Sequence, residues 1–459
     1  MCQIYFCYTC REGVTSVSRV SVHIETFGCQ MNVADTERAA TKLRAGGFEV
    51  AGSAEGADVI ILNTCSIREK AEQKVFHRVS EIKSRRGAKQ PLIGVMGCVA
   101  QLEGEAIFNN SSSVRLVIGT GATDRITDLL GRVIEGEPRV IDLDERKESE
   151  SFEIAHGERH SRHIAFVPII EGCNKFCTYC IVPFSRGRER SRIAFDVIAE
   201  VRGLRDQGFQ EVQLIGQNVN SYRPKSEKGL EDYKGATPFS RLLRAVASTG
   251  IPRVKFTTSF PRDFHPDIVK AIDEHENLCN WVHLPIQSGN DRILRAMRRG
   301  HKAEDYLTRV ASIKAARRRI SLTSDIIVGF PGETSAEFED TLKLVEQCRF
   351  HGLYIFKYSQ RHGTPAAKLS DTVPEVEKTR RFLALQNLQM SIQREIFQSY
   401  IGEEVEVLVE GLSARSADDL TGHTTCNKVI NFRANPDLIG KIVKVKVCEA
   451  KTHSLYGVV

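Results

Sequence analysis

Strand-like and helix-like segments alternate along most of the chain and predict an α/β protein in three parts. The parts expected are an N-terminal parallel α/β domain, a central open (β/α)6 barrel and a small C-terminal β-barrel. Three observations predict this division. Three apolar runs near the N-terminus each end in a loop with one cysteine. Six more alternate with helical patterns between Phe166 and Tyr358, and the final segment carries short valine-rich alternations broken by glycine.

The N-terminal runs come first. Val20–Ile24 alternates like a half-buried strand and leads into Gly28-Cys29, Val59–Leu62 ends in Asn63-Thr64-Cys65, and Leu92–Met96 ends in Gly97-Cys98. Helical patterns over Thr36–Leu43 and Glu69–Ile82 separate them, giving a βαβαβ order and hence a parallel sheet. Loops at the carboxyl ends of such strands gather on one edge. Cys29, Cys65 and Cys98 are therefore expected to converge, although three buried small residues at strand ends are the plainer alternative.

The barrel strands are expected at Phe166–Ile170, Glu211–Ile215, Arg253–Thr257, Trp281–Pro285, Ser321–Val328 and Leu353–Tyr358. Loops following barrel strands carry chemistry. The first holds Cys173, Cys177 and Cys180 at C-x3-C-x2-C spacing. Thiolates bind iron–sulfur clusters, and a four-iron cube takes four of them, so three leave one iron open to a small molecule. Half of a zinc site is the alternative reading, but it needs a fourth ligand. Later loops, Gln217-Asn218 after the second strand, Gln287-Ser288-Gly289 after the fourth and Gly329 after the fifth, combine amides, hydroxyls and glycine suited to ribose or amino-acid groups. Ordinary turns use the same residues. Thr334 with Glu337 forms a capping box, which accounts for both.

The chain has 459 residues with a net charge of +6 and 13 cysteines, which fits a soluble protein of two or three domains in a reducing compartment rather than a disulfide scaffold. No run is long enough to span a membrane. The expected boundaries are an extension over 1–19, disordered and starting ahead of the fold, an N-terminal domain over 20–136, a charged linker over 137–160, the barrel domain over 161–394 and the C-terminal domain over 395–459. Cys2, Cys7 and Cys10 in the extension receive no role. His156, His160 and His163 are read as part of a solvated linker and not as metal ligands. Among the basic runs, Arg317–Arg319 reads as a solvated face, whereas Arg186–Arg192 borders the barrel mouth and is expected to meet phosphates.

The Cys173–Cys180 spacing resembles the signature of radical S-adenosylmethionine enzymes. With Glu25-Thr26-Phe27-Gly28-Cys29-Gln30-Met31-Asn32, Asn63-Thr64-Cys65-Ser66-Ile67-Arg68, Gly97-Cys98-Val99-Ala100-Gln101, Leu284–Gly289 and Tyr358–Pro365, the chain from about residue 20 onward resembles the methylthiotransferases. Gln217–Tyr222 is similar to the branch acting on isopentenyladenosine next to the anticodon of tRNA. The tail resembles a TRAM domain, an RNA-binding module, with His423 where relatives often carry arginine, which weakens a phosphate contact at neutral pH.

The resemblance implies two [4Fe–4S] clusters, one on Cys29, Cys65 and Cys98 and one on Cys173, Cys177 and Cys180. It also implies S-adenosyl-L-methionine bound by Tyr179, Gln217, Asn218, Gln287, Ser288 and Gly329, with Tyr179 against its adenine or packed in the core. One cofactor molecule methylates a cluster sulfur; the other is cleaved to a radical that takes hydrogen from adenine C2, and the carbon receives the methylated sulfur. The implied partners are the tRNA anticodon loop and a one-electron donor such as flavodoxin or ferredoxin, with no membrane, for a cytoplasmic monomer. Methylthiolation of threonylcarbamoyladenosine in tRNA or of a ribosomal-protein aspartate, and a non-catalytic iron–sulfur RNA-binding redox sensor, are the alternatives.

Overall fold

The computed structural model describes residues 19–66, 69–84, 90–146, 152 and 154–459. The expected extension, apart from Arg19, lies outside them with Cys2, Cys7 and Cys10, as do Ile67, Arg68 and part of the linker. The N-terminal sheet has six strands, β1 (Ser21–Phe27), β2 (Glu49–Val50), β3 (Val59–Thr64), β4 (Leu92–Gly97), β5 (Val114–Ile118) and β6 (Val140–Asp142). They lie in the order β2-β1-β3-β4-β5-β6 and every pair is parallel. Val59–Thr64 is buried throughout, as a central strand covered on both faces must be.

Strand β6 corrects the expected linker over 137–160. Val140 and its neighbours pair with β5, and Arg125 binds Asp142 at 2.7 Å, so charge that reads as solvated is spent on an edge strand. Farther on, Arg159 meets Glu37 and Glu200, and His160 binds Glu37 at 2.8 Å while stacking on Phe166. This stretch is a clamp between domains.

The barrel strands are β7 (Ile164–Pro168), β10 (Glu211–Ile215), β11 (Arg253–Phe256), β12 (Trp281–His283), β13 (Ser321–Val328) and β14 (Gly352–Lys357), with β8 (Ile170–Glu171) and β9 (Arg190–Ser191) forming a small antiparallel pair around the cysteine loop. Two parallel three-stranded sheets, β11-β10-β7 and β12-β13-β14, meet through a Val254–Leu278 bridge. No pairing joins β7 to β14 among the described residues, so the barrel is open there, as expected. Alternate residues such as Val212, Leu214, Val254, Phe256, Leu322 and Ile326 face the outer helices and form the core.

A closed C-terminal barrel follows, β15 (Glu404–Ser413), β16 (Ser416–Thr424), β17 (Val429–Arg433), β18 (Ile442–Ala450) and β19 (Leu455–Val458), in the order β15-β16-β17-β19-β18. It seats on the amino ends of the central strands. Arg253 donates to the His423 and Thr424 carbonyls, each at 3.0 Å, and Lys255 to Asn427 at 2.5 Å. Arg319 binds Glu403 and lies over Tyr400, while Arg318 donates to the Ile272, His275 and Leu278 carbonyls. Of the run expected to be solvated, Arg317 and Arg319 are exposed and Arg318 alone is drawn inside.

Arg253 is buried and also faces Glu211 at 3.2 Å. Removing one partner of a buried ion pair strands the other, at a cost of about 3–5 kcal/mol. Arg253→Ala should lower the denaturant midpoint accordingly and expose the chain near residue 400 to limited proteolysis; unchanged stability and cleavage would contradict this docking.

Candidate active site: two sets of three cysteines

Each N-terminal cysteine follows a parallel strand on the same sheet edge. Cys29 is the N-cap of helix Gln30–Ala45, Cys65 follows β3, and Cys98 opens helix Cys98–Glu103 after β4. A buried polar lattice sets their spacing. Asn32 Oδ1 accepts from the Cys29 amide and thiol at 3.3 and 3.4 Å. Asn32 Nδ2 donates to Asn63 Oδ1 and to the Thr64 carbonyl, and Asn63 Nδ2 donates back to the Asn32 carbonyl at 2.8 Å. Thr64 Oγ1 donates to the Met96 carbonyl and accepts from the Val99 amide. Gly97, at φ +92°, lies so close that a Cβ would stand 2.5 Å from Asn63 Oδ1. Asn32, Asn63 and Thr64 sit in the quoted motifs, yet sequence alone assigned them nothing; their i+3, i−2 and i−1 spacing from cysteine was the available signal.

The second set sits in a pinned loop. Thr178 binds the Ala296 and Met297 carbonyls, and the Cys173 amide donates to the Gly187 carbonyl. Asn218 Nδ2 donates to Cys173 Sγ at 3.1 Å, so this amide serves the sulfur. Arg299, a buried residue of the basic stretch 298–302, points Nη1 at Cys177 Sγ and at the Tyr179 hydroxyl, both at 3.5 Å, and lies 4.4 Å over the Phe260 ring. Lys175 pairs with Asp263, which also accepts from Ser221 at 2.8 Å.

The other expected cofactor residues divide. Gln217 Oε1 is buried with no hydrogen-bond partner, an orphaned acceptor beside Asn218 that fits an incoming ligand. Tyr179 packs with Phe330 and Tyr358 and meets Arg299, which favours its core-packing alternative. Gln287, at φ +79°, bridges to Ile326 through its backbone. Ser288 is fully buried and its hydroxyl accepts from the Asn290 amide, a turn role. At Gly329 the space beside the α-carbon is filled by Lys378.

The electrostatics of the two sets differ. Cys29 is held down to about 6, first by a hydrogen bond with Cys65 and then, against burial, by the Arg186 charge. Burial pushes Cys180 up to about 12 and raises Cys173. Metal ligation requires the thiolate, so binding at the second set must displace protons. Among the described residues no three His, Cys, Asp or Glu side chains could hold a single metal ion. Each set offers three thiols, the ligand type that a four-iron cube takes.

Arg186 joins the sets. It follows Cys180 by six residues, roughly 20 Å of chain at most, binds Asp35 at 2.7 Å and feels the charges of Cys98 and Cys29. Helix Val182–Arg186 packs on helix Cys98–Glu103, and Thr120 donates to the Ser185 carbonyl at 2.6 Å. Met31, Ala34 and Cys29 cluster with Ile215 and Phe166 on the inner face of the barrel. Arg186, its helix and this cluster thus bring the N-terminal set against the barrel that carries the second set. The expectation that Arg186–Arg192 meets RNA phosphates is corrected accordingly: Arg186 binds Asp35, Arg192 binds Glu200, Arg190 lies over Phe152, and Arg188 alone is exposed. A separate cleft of about 710 Å³ runs along helix Ala194–Asp206, where Arg159 and Arg192 pair with Glu200.

Residues 21–119 match the uncharacterized protein family UPF0004, residues 167–345 the radical SAM superfamily and residues 398–459 the TRAM domain. Proteins of Koribacter versatilis and Solibacter usitatus named tRNA-2-methylthio-N(6)-dimethylallyladenosine synthase are each 46% identical, covering 95% and 96% of this chain and 97% and 98% of their own. The chain belongs to the methylthiotransferase family of radical S-adenosylmethionine enzymes. A Haemophilus influenzae protein of the same name is 42% identical over 95% of this methylthiotransferase and 91% of its own length. Two solved radical enzymes share the fold at 12% identity: TsrM from Kitasatospora setae, described with cobalamin and a [4Fe-4S] cluster bound (TM-score 0.54, 76% of this chain and 77% of that one), and OxsB (0.52, 82% and 56%). Radical S-adenosylmethionine chemistry uses a [4Fe–4S] cluster and S-adenosylmethionine, and three thiols of this methylthiotransferase lie together in the first barrel loop.

The Arg299 guanidinium stabilises negative charge beside Cys177. Arg299→Met should lower the midpoint potential of the barrel cluster by roughly 60 mV or more, the equivalent of one charged hydrogen bond. Redox titration followed by electron paramagnetic resonance measures it, and an unmoved potential would contradict the contact.

Proposed function

We propose that the chain is a tRNA-2-methylthio-N6-dimethylallyladenosine synthase that adds a methylthio group at C2 of N6-isopentenyladenosine beside the anticodon. The observation that carries the reading is two sets of three thiols joined through Arg186, in a chain 46% identical to proteins of that name over nearly its whole length. Cys173, Cys177 and Cys180 would hold one [4Fe–4S] cluster, and Cys29, Cys65 and Cys98 the other. When bound, these groups with S-adenosylmethionine supply a carbon-centred radical that removes hydrogen from C2 and a methylated sulfur to replace it.

The chain's own residues position and shield. Asn218 and Arg299 orient sulfurs of the barrel set, while the Asn32–Asn63–Thr64 lattice fixes the spacing of the N-terminal set. Gln217 Oε1 is available to accept from S-adenosylmethionine. Gln287 and Gly329 shape the backbone of the same rim. The TRAM domain binds the tRNA, and the base is turned out of its stack to reach the cavity, which costs less in an anticodon loop than in duplex. A flavodoxin or ferredoxin supplies single electrons, and the protein works as a cytoplasmic monomer of three folded units, 20–136 extended to take in β6, 161–394 and 395–459. No helix among the described residues is long and apolar enough to cross a membrane.

Two variants test the division of labour. After anaerobic reconstitution each should hold roughly half the wild-type iron. Cys177→Ala should form no 5′-deoxyadenosine, whereas Cys65→Ala should still form it but yield no methylthiolated nucleoside by mass spectrometry. Deoxyadenosine from the first, or product from the second, would overturn the assignment.

A further inference from the structure

The inner face of the second barrel half carries a side-chain group that the cysteine sites do not use. His283 on β12 places Nε2 3.4 Å from Asp325 Oδ1 on β13, and its Nδ1 lies 3.0 Å from Thr323 Oγ1. Its ring meets the edge of Tyr354 on β14 with centroids 5.8 Å apart. Contact between β12 and β14 side chains across β13 means that these residues point into the lumen. Leu353 and Ile355, which alternate with Tyr354 and Phe356, pack instead against the outer core.

Closed barrels fill their interior with packed side chains. Here Tyr354 is 53% exposed and Phe356 37%, although both face inward. Strand β14 borders the open side of the barrel, so an aromatic wall lines the lateral entrance to the cavity. Asp325 stands beside it with its carboxylate a quarter exposed. Two residues beyond Asp325, Ile327 packs against the same buried cluster as Tyr179 of the cysteine loop, so the wall continues toward those thiols.

An exposed aromatic pair beside one carboxylate suits a flat base with an apolar substituent and a single N–H. Resting on the proposed synthase reading, we propose that Tyr354 and Phe356 hold the substrate adenine and its prenyl chain, with Asp325 accepting a hydrogen bond from the adenine N6–H. The same carboxylate repels a base whose N6 substituent is anionic, as threonylcarbamoyl is. Selection between the two tRNA modifications then comes from charge as well as from shape.

The test uses the full-length reconstituted enzyme and anticodon hairpins carrying prenylated, threonylcarbamoylated or unmodified adenosine. Tyr354→Ala and Phe356→Ala should each raise KM for the prenylated hairpin about ten-fold, the scale of one lost stack, while Tyr354→Phe stays within two-fold of wild type. Asp325→Asn should narrow the ratio of Kd values for threonylcarbamoylated over prenylated hairpin about ten-fold, read by fluorescence anisotropy. Iron content and circular dichroism matching wild type show that each variant is folded. If the wild type methylthiolates the prenylated hairpin but both alanine variants keep KM within two-fold, or the Asp325→Asn ratio is unmoved, the pocket is elsewhere. If the wild type methylthiolates no prenylated hairpin, the synthase reading itself falls and this inference with it.

Discussion

A buried lattice of arginine–carboxylate pairs at the seam between the N-terminal domain and the barrel is the constraint on which the rest depends. Arg38 meets Asp35, Asp124 and Glu171; Arg146 meets Glu171; Arg186 meets Asp35; and Arg159 joins Glu37 to Glu200. Such pairs contribute little net stability, because desolvation offsets their attraction. They are directional, however, and each partner left alone is costly. An apolar seam could slide by an ångström or two with small loss. This one cannot shift without stranding several charges at once, so the two cysteine sets keep a single relative placement.

That placement joins two different electrostatic environments. In the N-terminal set, Cys29 lies at a helix N-terminus where the Cys65 thiol and Arg186 favour its thiolate. The barrel set is dominated by burial, which keeps Cys173 and Cys180 protonated until metal displaces the protons. Arg299 is the counterweight at that set, a fixed positive charge that cannot leave because Pro285 and Phe260 hold it. Cys29 on one side of Arg186 and Cys173 and Cys180 on the other are thus thiols of opposite character.

The C-terminal barrel adds a second geometric condition. It docks on the amino ends of the central strands through Arg253, Lys255 and Arg319, whereas the cysteines lie at the carboxyl ends. In the proposed reading, an RNA arm held by the TRAM domain follows the flank of the central barrel to reach the reaction centre. The unpaired gap between β7 and β14 is the flank that admits a base, and its aromatic edge strand faces that path.

Sequence alone determined the three-part α/β architecture, all six barrel strands and both cysteine sets, because hydrophobic period and ligand spacing are local properties of the chain. Thr334 was legible for the same reason: the capping box with Glu337 is complete within four residues. What tertiary structure decided concerns charge. Arg186, Arg192 and Arg318 read as surface cations, yet they bind Asp35, Glu200 and backbone carbonyls brought near only by folding. The linker's Arg159 and His160 likewise find Glu37 more than a hundred residues away. A charged side chain looks the same in sequence whether water or a buried carboxylate will solvate it, and only the packed interior distinguishes the two.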